Sequence, residues 1–149
     1  MANARTDSVR NLHPLRLAAT VVAAVFLLVG ILGFIPGVTT DYDGMEFAGH
    51  ESTAMLLGVF HVSILHNVVH LLFGVVGLIM ARTAAGAAGF LIGGGAVYLV
   101  LWIYGLVIDF GSSANFVPLN TADNWLHLLL GLGMIALGVL LSRRRGVTA

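Results

Sequence analysis

Apolar residues dominate four stretches of this chain: Leu17 to Ile35, Ile64 to Ala81, Gly86 to Ile108 and Ala122 to Leu141. A hydrocarbon core of about 30 Å is crossed at about 1.5 Å per helical residue, so the pattern predicts four transmembrane helices. The second is the shortest and opens on polar residues. Polar segments separate the stretches, running from Pro36 to Ser63 and from Asp109 to Thr121. The longer contains Asp41-Tyr42-Asp43-Gly44, a turn signal, and then Met55 to Val62. Periodicity does not choose for that last run among a short strand, an interfacial helix and an extension of the second span.

Within the second and fourth stretches one pattern recurs. His66-Asn67-Val68-Val69-His70-Leu71-Leu72-Phe73-Gly74 and Asp123-Asn124-Trp125-Leu126-His127-Leu128-Leu129-Leu130-Gly131 share Asn-x-x-His-Leu-Leu-x-Gly. The chain therefore reads as two helical hairpins, each opening its second helix with the motif. Both of those helices run in the same direction, so the repeat is of the parallel kind, related by an axis along the membrane normal. The expected fold class is all-α: a polytopic membrane protein forming a single four-helix domain over residues 1–149.

Composition agrees. Of 149 residues 58% are hydrophobic and 9% charged, which a soluble domain could carry only with large exposed apolar patches. The charges also set an orientation. The basic residues are all arginines, at positions 5, 10, 16, 82, 143, 144 and 145, and all fall on one side of a four-span topology. Asp41, Asp43, Glu46, Glu51, Asp109 and Asp123 fall on the other side or at its edge, leaving Asp7 with the arginines. The positive-inside tendency then predicts that both termini are cytoplasmic. The first apolar run is longer than a secretory signal core, and no small-x-small pattern follows at Phe34-Ile35-Pro36-Gly37, so a retained helix is expected. The absence of cysteine removes disulfides, thiolate metal sites and thiol catalysis.

Glycines lie along every span, and Gly89-x-x-x-Gly93 has the spacing that lets helix backbones approach, predicting packing within the chain ahead of dimerisation. The ionisable residues are few. His66 with His70, and Asp123 with His127, are four apart, so each pair shares a helix face. Three imidazoles and a carboxylate at one depth suit Zn²⁺ or another divalent first-row metal, making His66, His70, Asp123 and His127 the candidate ligands; His13, His50 and His61 are less well placed. Haem is a second candidate, because His70 and His127 are equivalent in the repeat and bis-histidine ligation needs two such helices.

A purely structural role is the stronger expectation. Ser63 and Thr121 stand at N-cap positions, and Asp123 in a first turn complements the helix dipole. Asn67 and Asn124, with the histidines, are placed to hydrogen-bond across helices or to the outer-loop backbone. An ion pathway would need polar groups along the spans, and the inner halves lack charged residues. No nucleophile and base are paired, and Trp102, Tyr104, Trp125 and Tyr98 read as anchors or packing residues.

The run from Gly58 to Leu72, followed by Leu119-Asn120-Thr121-Ala122-Asp123-Asn124-Trp125-Leu126-His127-Leu128, resembles a bacterial family of small four-helix membrane proteins of unknown function. Ser63 stands where the second copy has Asn120. The resemblance implies a four-span fold in a bacterial plasma membrane and no activity. The expectation is a non-enzymatic structural or accessory membrane component, with a metal- or haem-binding protein and a small transporter as alternatives. Its cofactor is open among none, a divalent metal and haem. Its partners are the lipid bilayer, other membrane proteins or a second copy, and not nucleic acid.

Overall fold

A computed structural model describes residues 14–143. The arginines at 5, 10, 144 and 145, Asp7 and His13 lie outside the described residues. The described chain has four helices, α1 (Pro14–Leu32), α2 (Ile64–Met80), α3 (Ala84–Val107) and α4 (Thr121–Arg143), and three two-residue strands, β1 (Thr39–Thr40), β2 (Met55–Leu56) and β3 (Phe60–His61). Helices α1, α3 and α4 are long and apolar enough to cross a membrane; α2 is apolar but has 17 residues.

The first helix is shifted from the expected Leu17 to Ile35. It starts at Pro14, whose fixed φ suits a first turn, and ends before Ile35, which precedes Pro36 and so disfavours helix. Beyond it the Thr39 hydroxyl donates to the carbonyls of Leu32 (3.1 Å) and Gly33 (3.3 Å), which satisfies the helix end.

Helix α1 packs chiefly on α2, and α3 on α4. In each pair glycines permit close approach. A Cβ at Gly74 would lie 2.6 Å from Leu27 Cγ and 2.9 Å from the Ala23 carbonyl; one at Gly131 would lie 2.7 Å from Leu99 Cδ2 and 3.0 Å from the Gly95 carbonyl. The expected pairing through Gly89 and Gly93 is not what packs α3. Both are exposed, and a Cβ at Gly93 meets nothing within 4 Å. Gly94 and Gly95, one residue round the helix, face Met134 and the Gly131 carbonyl instead. The rotation of α3 is set by the residues it buries, Phe90, Leu91 and Tyr98, and those put 94 and 95 inside. Between the two pairs Phe26 stacks on Tyr98 (centroids 5.4 Å apart, planes 18° apart), with Phe73 edge-on to Phe26 at 5.0 Å.

The long connection between α1 and α2 folds as a cap. Its strands form an antiparallel sheet in the order β1-β2-β3, with Thr39 opposite Leu56 and Leu56 opposite Phe60. The run from Met55 to Val62 is thus a tight β-hairpin, with Leu57 and Gly58 in the left-handed region (φ 55° and 68°). Ala54, Leu56 and Val62 bury a small core against Val29 and Leu32 of α1.

Candidate functional site around the repeated histidines

Helix α2 starts beneath the cap, and its first amide groups are all matched. Ile64 and Leu65 N–H donate to the carbonyls of Glu46 (3.1 Å) and Phe47 (2.9 Å), and His66 N–H to the Ser63 hydroxyl (3.1 Å). Ser63 is the N-cap, as its position in the sequence indicates. For α4 the cap is Asn120 rather than Thr121. Asp123 N–H donates to Asn120 Oδ1 (2.9 Å) while Asn120 N–H donates to Asp123 Oδ2 (3.1 Å), a reciprocal capping box. Asn accepts and donates at a cap where Thr one residue on would already be helical.

Asp123 Oδ2 also accepts from the His61 amide of β3 (3.0 Å), and Asn120 Nδ2 donates to the Val59 carbonyl (2.8 Å). The cap grown from the first hairpin is therefore tied to the first turn of α4 by two hydrogen bonds to its capping box. Gly49 N–H adds a bond to the Phe116 carbonyl (2.7 Å).

Both asparagines are buried against a glycine of the preceding helix or its end. Asn67, fully buried, lies on Gly33, and Asn124 on Gly105; a Cβ at either glycine would fall inside the carboxamide. Asn67 Oδ1 pairs with His66 Nδ1 (3.2 Å), and its Nδ2 meets Met45 Sδ (3.8 Å). Asn124 Oδ1 is buried without a partner.

His70 and His127 follow one turn deeper, with His66 beside His70. The rings of His66 and His70 lie 4.1 Å apart, and His70 Nδ1 is 3.0 Å from the His66 carbonyl. A carbonyl only accepts, so this nitrogen carries the proton and His70 Nε2 presents a lone pair. Tyr98 Oη stands 3.4 Å from that lone pair, a stretched hydrogen bond in which the hydroxyl donates. His127 also sits edge-on to Tyr98, with centroids 5.1 Å apart, and its Nδ1 is buried without a partner. Tyr98 thus touches both His70 and His127, with His66 against His70, and the sequence marks this tyrosine only as a lone hydroxyl in an apolar helix. Asp123 stands above them with one carboxylate oxygen engaged by two amides. Among the described residues no three His, Asp, Glu or Cys side chains are grouped to hold a metal ion. His50 pairs with the exposed Glu51 (3.0 Å), away from this group.

Two clefts border the imidazoles. One, of about 250 Å³, lies between α2 and α3 and is lined by Val69, Val97 and Leu101 with Tyr98 at its inner end. The other, of about 280 Å³, lies between α1 and α4 and is lined by Val25, Val29 and Leu126 with Phe26 at its inner end. His66, His70 and His127 line both.

No curated protein and no solved structure matches the sequence. Residues 16–140 match the family described as a domain of unknown function, DUF4383, a stretch that takes in α2, α3, the cap between α1 and α2, and all but the outermost residues of α1 and α4. Over that length the match leaves no doubt of membership: the chain belongs to the DUF4383 family.

Proposed function

We propose that this chain is a four-span membrane protein made of two like hairpins, with both termini cytoplasmic, and that it serves as a non-catalytic membrane component. In this reading the repeated asparagines and histidines hold the outer end of the bundle together. The observation that carries it is the pairing of each motif asparagine with a glycine of its own hairpin, Asn67 with Gly33 and Asn124 with Gly105.

The likeness of the hairpins is supported by burial. Asn67, His70, Gly74 and Gly77 are buried on α2, and the residues 57 positions later, Asn124, His127, Gly131 and Met134, are buried on α4. On α1 and α3 the matching offset is 72: Leu15, Ala19, Ala23 and Phe26 against Ala87, Leu91, Gly95 and Tyr98. Phe26 and Tyr98, which stack, are then counterparts meeting at the axis between hairpins. Helix α2, about 25 Å long at 1.5 Å per residue, becomes the fourth span. Its end lies level with the start of α1, where Arg16 Nε donates to the Ala81 carbonyl (3.0 Å). The arginine-bearing end of the bundle is the cytoplasmic one.

The test is purification in detergent, then elemental analysis, an absorption spectrum and ion-flux measurement in liposomes. The reading expects no stoichiometric metal, no Soret band and no flux above that of empty liposomes. Stoichiometric metal or haem, lost on His70→Ala with His127→Ala, would replace it by a cofactor site at His66, His70, Asp123 and His127; flux would replace it by transport.

A further inference from the structure

Helix α2 is shorter than the bilayer it would cross, and the chain above its start carries exposed apolar side chains. Leu65 N–H donates to the Phe47 carbonyl in the cap, and at the other end the Ala81 carbonyl accepts from Arg16. From Leu65 to Ala81 the rise is about 24 Å at about 1.5 Å per residue, so a hydrocarbon core of about 30 Å overruns it by about 6 Å. The bilayer then either thins around α2 or brings its acyl chains against the cap. The cap's surface suits the second. Phe47 is 66% exposed, and Leu57, at the tip of the β-hairpin, 63%. Phe116, whose carbonyl accepts from the Gly49 amide of the cap, is 55% exposed. Trp125 is equally exposed just beyond the α4 capping box to which the hairpin is bonded, and tryptophan gathers at membrane interfaces.

These side chains continue the apolar outside of the bundle. Phe116 lies beside Leu65 and Val69 at the outer end of the α2–α3 cleft, and Leu57 beside Val29 and Leu126 at the outer end of the α1–α4 cleft. Val69 and Leu126 are themselves exposed.

We propose that the cap is seated in the outer leaflet of the bilayer, with Phe47, Leu57 and Phe116 among the acyl chains and the exposed Glu46 at the level of the headgroups. The proposal rests on the four-span reading with the arginine-bearing end cytoplasmic. A second copy of the chain fits the surface less well. A twofold contact sets one patch against itself, whereas these residues lie by both gaps between the hairpins, Phe116 by α2–α3 and Leu57 by α1–α4. A bilayer surrounds the bundle and reaches both. Seated this way, the outer ends of both clefts lie below the headgroups.

The chain has no cysteine, so a single introduced cysteine carries a nitroxide label without background. With the full chain in phosphatidylcholine liposomes, power saturation compares collisions with oxygen, which concentrates among acyl chains, and with a water-soluble nickel chelate. Leu72→Cys, exposed on α2, is the lipid reference, and Glu51→Cys, exposed in the cap, the aqueous one. At Phe47→Cys, Leu57→Cys and Phe116→Cys, all exposed positions, the logarithm of the oxygen-to-nickel collision ratio is expected to be positive, as at Leu72→Cys, and at Glu51→Cys negative. Negative values at the three cap sites would overturn the proposal. So would weak collision with both reagents accompanied by spin–spin broadening, which would put a second copy on the cap. A negative value at Leu72→Cys would defeat the four-span reading and the proposal with it, whereas negative values confined to the cap leave that reading standing.

Discussion

Gly33→Ala tests the asparagine-on-glycine contact directly. The added methyl falls inside the Asn67 carboxamide, and Asn67 is fully buried, so the side chain has to leave its place. Overpacking a well-packed interior costs about 1–3 kcal/mol. Displacing the carboxamide also separates it from His66 Nδ1 and strands a buried polar group, which adds about 1–3 kcal/mol. The sum is roughly 2–6 kcal/mol. Gly105→Ala makes the same collision with Asn124, whose Oδ1 has no partner to lose, so it is expected to cost the overpacking alone, about 1–3 kcal/mol. Gly93→Ala is the control: its methyl meets nothing within 4 Å, and replacing a helical glycine gains about 0.5–1 kcal/mol. The assay is reversible unfolding in mixed micelles by SDS titration, followed by far-UV circular dichroism. Equal stabilities for Gly33→Ala and Gly93→Ala would refute the contact and the reading of the motif built on it.

Three further substitutions probe the ends of the bundle. Ser63→Ala removes the only side-chain cap on α2 and is expected to cost about 1 kcal/mol in the same titration; an unchanged midpoint would show that the Glu46 and Phe47 carbonyls suffice. Asp123→Ala frees the His61 and Asn120 amides together, and hydrogen exchange at His61 is expected to rise at least tenfold; protection equal to wild type would mean that the cap is held elsewhere. Asn115→Leu, at a buried side chain that holds the α3–α4 loop by bonds to the Phe110 and Leu119 carbonyls (both 3.0 Å) and from the Leu119 amide (2.9 Å), is expected to cost about 2–4 kcal/mol. A loss under 1 kcal/mol would assign the loop's order to Leu119 and Pro118 packing instead.

Much of the candidate site could be read from the repeated motif, because i, i+4 spacing is a property of one helix and survives whatever surrounds it. The faces formed by His66 and His70, and by Asp123 and His127, needed no tertiary information. The cap residue of α4 was misplaced by one, since Thr121 and Asn120 are both good caps by type and only the reciprocal bonds to Asp123 separate them. Tyr98 carried no signal beyond a hydroxyl in an apolar stretch. Its part in joining His70 to His127 depends on where α3 lies against α4, which no local pattern encodes.

By itself the amino-acid order determined the four apolar helices, their ends to within a few residues and the alternation of charge between loops, because hydropathy and proline act locally along the chain. Three-dimensional packing decided the rest. Gly89 and Gly93 have the right spacing but face outward, while Gly94 and Gly95 face in, because helix rotation is set by the bulkiest buried residues on the same helix. Asp123 is placed in a first turn by spacing alone, and only the fold shows which groups its Oδ2 accepts from, the β3 and Asn120 amides. That choice was made by a cap folded from residues 62 positions away, whose backbone donors required an acceptor at that point.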